Sequence, residues 1–133
     1  MKNYKELAVW QKAVQLAIEV YEPTSHFPET EKFGLTTQIR KAATSIPANI
    51  AEGWGRGTTN DYLRFLSIAR GSLMELETHS IVAQGLGFMS QDQLKQTSGS
   101  IEEIGRMLNG LMQALKEPKK QAAAAAEAGA PNS

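Results

Sequence analysis

Tyr62, Leu66, Ala69, Leu73, Leu76, Ser80 and Ala83 recur at alternating steps of four and three residues over about six helical turns. A strand turns each successive side chain to the opposite face, so a row of this length and period specifies a long helix with one apolar seam. Its ends are marked in the sequence. Thr58 with Asp61 three residues later has the spacing of a capping box, with Thr59 as an alternative cap, and the GLG run at Gly85 to Gly87 stops the pattern.

Three further segments share the period. The first runs from about Asn3 to Glu22 and carries two apolar rows, Leu7, Trp10, Val14, Ala17 and Tyr21 beside Val9, Ala13, Leu16 and Val20. Two rows are more than one neighbouring helix uses, which suits a helix wedged between two partners or one that also meets another subunit. The stretch EPTSHFPET, with two prolines, ends it. The second helix begins near Glu29 to Glu31, whose carboxylates suit a helix N-terminus, and its core row is Leu35, Ile39, Ala42 or Ala43, Ile46 and Ile50.

Pro47 falls inside that row, where a proline removes a donor and costs about 3 kcal/mol. The period continues in register beyond it, so the expectation is one helix with a loosened turn at Pro47, ended by Gly53 and the reversal GWGRG. Ser45 is placed to hydrogen-bond the disturbed backbone, and Asn49 and Glu52 to satisfy backbone or arginine groups near the helix end.

The last helix starts at Ser90 with Gln93 as a second capping box. It carries Leu94, Ser98, Ile101, Ile104 or Gly105, Leu108, Leu111 or Met112, and Leu115 to about Lys116, before Pro118. Short connections make consecutive helices antiparallel neighbours. The expected fold is therefore all-α, an antiparallel up-down-up-down four-helix bundle over residues 1–117. Residues 118–133 form an Ala-rich, low-complexity tail with little to bury, in which Gln121 to Ala128 reads as a frayed helix in isolation.

Residue chemistry points away from an enzyme. The chain has no cysteine, and no serine lies in a nucleophile motif with a base. Glu75 and His79 are spaced i, i+4, whereas a carboxylate-bridged di-iron bundle needs Glu-x-x-His pairs at i, i+3; no metal and no cofactor is expected. GWGRGTT lacks the Lys-Ser/Thr ending of a phosphate-binding loop and follows a helix rather than a strand. The first sixteen residues are too often interrupted by polar groups for a signal peptide, and no run approaches a membrane span. A soluble, cytoplasmic protein is expected.

Fourteen Lys and Arg balance fourteen Asp and Glu, so any affinity for nucleic acid has to come from a local patch. The candidates are Trp54, able to stack on a base, and Arg56 beside it for a phosphate, with Arg40, Lys41 and Arg64 as supplementary charges. The competing reading folds Trp54 over the end of the bundle and leaves Arg56 solvated.

The blocks EKFGLTTQIRKAATSIPANIAEGWGR (31–56) and DYLRFLSIARGSLMELET (61–78), with YKELAVWQKAVQLAIEVY (4–21) and HFPETEKFGL (26–35), resemble a bacterial family of four-helix bundle proteins encoded in intervening sequences of 23S ribosomal RNA genes, the S23-like proteins. The resemblance spans about Tyr4 to Leu115. It implies a bundle that assembles with itself, most often as a ring-like homopentamer, and it brings no catalytic residue. The family is also similar to the accessory variability proteins of diversity-generating retroelements, which bind nucleic acid and a reverse transcriptase. Those relatives are strongly basic, and this chain is formally neutral. Two roles follow: a structural or protein-interaction module, and an accessory protein acting on RNA or DNA beside a reverse transcriptase or ribosomal RNA.

Overall fold

The computed structural model describes residues 3–117, which are helical and contain no strand. The long helices are α1 (Ala8–Glu19), α3 (Leu35–Gly55), α4 (Thr59–Gly85) and α5 (Gln91–Lys116); a one-turn α2 (Tyr21–Ser25) extends α1. Contacts run α1 to α3, α3 to α4, α4 to α5 and α5 back to α1, the cyclic order of an up-down-up-down four-helix bundle. The tail expected over 118–133 lies outside the described residues.

The first helix departs most from its expected bounds. Asn3 caps a separate 3-10 turn, Tyr4–Glu6, with its side chain accepting from the Lys5 N–H at 2.8 Å, and α1 proper begins only at Ala8. At the other end the chain does not break at the first proline. Val20 interrupts the helix and α2 restarts at Tyr21, so Pro23 occupies the first turn of a new helix, where an N–H has no intrahelical partner to lose. Of the two apolar rows, Val9, Ala13, Leu16 and Val20 form the core together with Leu7 and Ala17. Trp10 and Val14 are half-buried and Tyr21 is exposed.

Helix α3 also starts later than expected, because Glu29–Glu31 makes its own 3-10 turn. Glu31 nevertheless serves the helix start, its Oε1 accepting from the Leu35 N–H at 3.1 Å. The helix then runs unbroken through Pro47 to Gly55, two residues beyond Gly53, and Ile39, Ala42, Ala43, Ile46 and Ile50 are all buried. Pro47 deprives the preceding turn of one donor. Asn49 reinforces that turn, its Nδ2 donating to the Ser45 carbonyl at 2.8 Å and to Ser45 Oγ at 2.9 Å. Ser45 itself does not turn back on the backbone as expected; its hydroxyl meets Ser72 Oγ of α4 at 2.8 Å.

The α3–α4 contact is the most extensive in the bundle. A Cβ built on Gly53 would stand 2.7 Å from Phe65 Cβ and 3.2 Å from the Tyr62 carbonyl oxygen, so only glycine allows this approach. Gly57, at φ +92°, then turns the chain. Thr58 caps α4, accepting from the Asp61 N–H at 3.2 Å, and all seven residues of the row from Tyr62 to Ala83 are buried. Ser90 and Gln93 make both bonds of the capping box that starts α5. Thr97 takes the core position expected of Ser98, and Ile101, Ile104, Leu108, Met112 and Leu115 complete the row.

Tyr62 is fully buried and its hydroxyl has no hydrogen-bond partner. Desolvation pushes that phenol well above its ordinary range. Between the unfolded-state value near 10 and the higher folded value, the unfolded chain binds fewer protons, so stability falls as pH rises above about 10.

Urea denaturation checks both packing features. Gly53→Ala is expected to lose about 2 kcal/mol to overpacking, whereas Gly99→Ala, where a Cβ meets nothing within 4 Å, gains up to about 1 kcal/mol of helix propensity. Tyr62→Phe removes an unsatisfied buried hydroxyl and is expected to be neutral or stabilising by about 1 kcal/mol. Its advantage over the parent chain should widen between pH 9 and about 11.

Candidate functional site

Arg40 lies in the second turn of α3 and points toward α2. Its Nε donates to Thr24 Oγ1 at 2.9 Å, its Nη2 donates to the Tyr21 carbonyl at 3.3 Å, and its guanidinium lies 4.4 Å from the centre of the Tyr21 ring. Thr24 is buried and passes its own proton to the Val20 carbonyl at 2.7 Å. Arg40 is thus the tie that holds α2 against α3. Lys41, the next residue, is exposed on the outer side of α3.

Arg56 and Arg64 are brought together at the opposite end of the bundle. Both guanidiniums sit on Phe65, at 4.9 and 4.5 Å from the ring centre, and each has an acid on its own helix. Arg56 Nη2 is 3.0 Å from Glu52 Oε1, and Arg64 Nη2 is 3.7 Å from Asp61 Oδ1. Two cations stacked on one aromatic ring, each paired with a carboxylate, make a nearly neutral cluster. Exposed ion pairs of this kind contribute at most about 1 kcal/mol each, and the ring contacts a similar amount.

Trp54 is half-buried on another side of α3. Its ring stands 6.2 Å from Tyr4, edge to face, and Tyr4 stands 5.4 Å from Trp10 in the same manner. The three aromatics pack together where the N-terminal turn meets α3, as the competing reading expected of Trp54, whereas Arg56, expected to be solvated, is held by Glu52 and Phe65. Sixteen residues of helix, roughly 24 Å, separate Arg40 from Arg56. Arg40, Lys41, Trp54, Arg56 and Arg64 are therefore not one patch but three locations. Glu75 and His79 on α4 gain no third ligand, and there is no group of three potential metal ligands among the described residues. No helix among those residues is long and apolar enough to cross a membrane.

The feature that reading by charge missed is apolar. Val14, Ala17, Ile18 and Tyr21 on one side and Thr44 and Pro47 on the other line a groove of about 370 Å³ between α1 and α3, with almost no polar surface. Ile18 is 68% exposed there and Tyr21 45%. The signal in the sequence is the surplus apolar row of the first helix, and Ile18 belongs to neither row.

Comparison with known proteins agrees with this architecture. A family model described as 23S rRNA-intervening sequence protein matches residues 5–110. Among solved structures, the crystal structure of a protein of unknown function from the S23 ribosomal protein family of Bacteroides thetaiotaomicron VPI-5482 superposes with a TM-score of 0.73 at 23% identity, covering 79% of this chain and 98% of that one. A search of curated proteins gives no match.

If Arg40 is a structural tie, its removal registers in stability before it registers in binding. Arg40→Ala is expected to lose about 1 to 2 kcal/mol by urea denaturation, with Lys41→Ala within about 0.5 kcal/mol of the parent. Equal, negligible effects would return Arg40 to the pool of free surface charge.

Proposed function

The chain belongs to the 23S rRNA-intervening sequence protein family, and from that premise we propose that it is a non-enzymatic helical bundle that assembles with itself and acts as a structural or protein-interaction module. The observation that carries this reading is the α1–α3 groove. A monomer gains nothing by leaving Ile18 and Tyr21 in water beside a nearly nonpolar channel, and such surfaces mark sites of association. The resemblance read from the sequence implies five subunits. Against an enzymatic reading, the one described group with a large pKa displacement, Tyr62, is sealed in the core rather than placed in a cleft.

Service as a nucleic-acid accessory beside a reverse transcriptase or ribosomal RNA is the second reading, and the side-chain geometry favours it less. Arg40, Arg56 and Arg64 spend their donors or their ring contacts within the chain, and Trp54 is packed on Tyr4.

Light scattering at micromolar concentration is expected to give about 70 kDa, five times the 14.5 kDa chain, and a monomer at every concentration overturns the proposal. Labelled single-stranded RNA titrated into the same sample at low salt is expected to show no salt-dependent binding; a clear signal would promote the second reading.

A further inference from the structure

Helix α4 is apolar on the wrong side as well as the right one. Opposite its core row, Met74 is 61% exposed, Ile81 52%, Val82 46% and Ile68 42%. Between Ser67 and Leu86, Glu75 is the only charged residue at an exposed position. The outward face of α5 shows what an ordinary solvent face of this protein looks like: Asp92, Lys95, Glu102, Arg106, Gln113 and Lys116 alternate along it, and it exposes no large hydrophobic side chain. A helix that is apolar around its circumference is one that is covered on both sides. Gly71 stands in the middle of this outward face, where a Cβ would meet nothing within 4 Å, and it weakens the helix by about 1 kcal/mol relative to alanine. The absent side chain leaves room for a neighbouring backbone to come close.

Resting on the self-assembly reading above, we infer that the outward face of α4 seats in the α1–α3 groove of a second copy of this chain. Three features match the two surfaces. Both run along a helix: Ile68 to Val82 spans roughly 21 Å, and the groove, from Val14 on α1 to Tyr21 on α2, takes up roughly 10 Å of that length. Both are apolar, and Ile18, Tyr21, Ile68, Met74, Ile81 and Val82 alone expose on the order of 600 Å², a substantial share of the ~1,600 Å² that a standard interface buries in total. The charges are complementary, since the ridge carries Glu75 while the exposed Lys41 lies one turn before the groove-lining Thr44 on α3. A groove-to-groove pairing would cover the groove and leave the α4 ridge bare. A ridge-to-groove contact joins two different surfaces, covers both on every copy, and closes into a ring when the rotation between copies allows.

The two surfaces can be disabled separately, because both lie outside the core. Ile18→Glu disables the groove, and the double variant Met74→Glu, Ile81→Glu disables the ridge; circular dichroism verifies that each remains helical. Sedimentation is expected to show each variant alone at the mass of one chain. An equimolar mixture is expected to give a dimer and nothing larger, because one intact ridge then meets one intact groove. A ridge variant that keeps the parent's mass overturns the inference while leaving self-assembly standing, and so does a mixture that stays monomeric. A parent chain that is itself monomeric removes the self-assembly reading, and with it this one.

Discussion

The structure depends on how closely α3 and α4 approach each other. At Gly53 the two helices come within a distance that no side chain permits, and that approach places Tyr62 beneath α3 and Phe65 against its last turn. Higher up, Ser45 and Ser72 replace side-chain bulk with a hydroxyl pair. Packing that tight restricts the relative rotation of the two helices, because interiors fill space like crystals and tolerate little displacement. Once α3 and α4 are set, α1 and α5 occupy the remaining sides, and the outward faces of all four helices are determined.

The same contact explains how much could be read in advance. The α4 row from Tyr62 to Ala83, the α3 row from Leu35 to Ile50 and the two cap positions Thr58 and Ser90 follow local rules of period and capping, and they were legible. The passage of α3 through Pro47 was legible too, because the apolar period keeps its register on either side. The extent of α1 and α2 was not. Whether the chain stops at Pro23 depends on whether a helix restarts just before it, and that is settled by Arg40 and Thr24 sixteen residues apart. The choice between the two rows of α1 was equally out of reach, since both have helical period and only the neighbouring helices decide which one is buried.

The candidate site was legible in its parts and illegible in its arrangement. Arg40 and Arg56 are close in sequence terms, but a straight helix separates them along the axis and rotates them toward different neighbours. Arginine is also the side chain best suited to stack on aromatic rings and to donate to several partners at once. Tyr21 and Phe65 each attract it, and a charge count sees neither ring.

The aromatic trio of Tyr4, Trp10 and Trp54 has a spectroscopic consequence. These are both tryptophans of the chain, gathered at one end of the bundle around a single tyrosine. Tryptophan fluorescence, excited clear of the tyrosines, therefore reports that end alone and is blind to events around α2 and the start of α5. Far-UV dichroism averages over every helix. Coincidence of the two melting curves would show that loosening at the Trp end and loss of the helices are one event, and a lag between them would locate which end opens first.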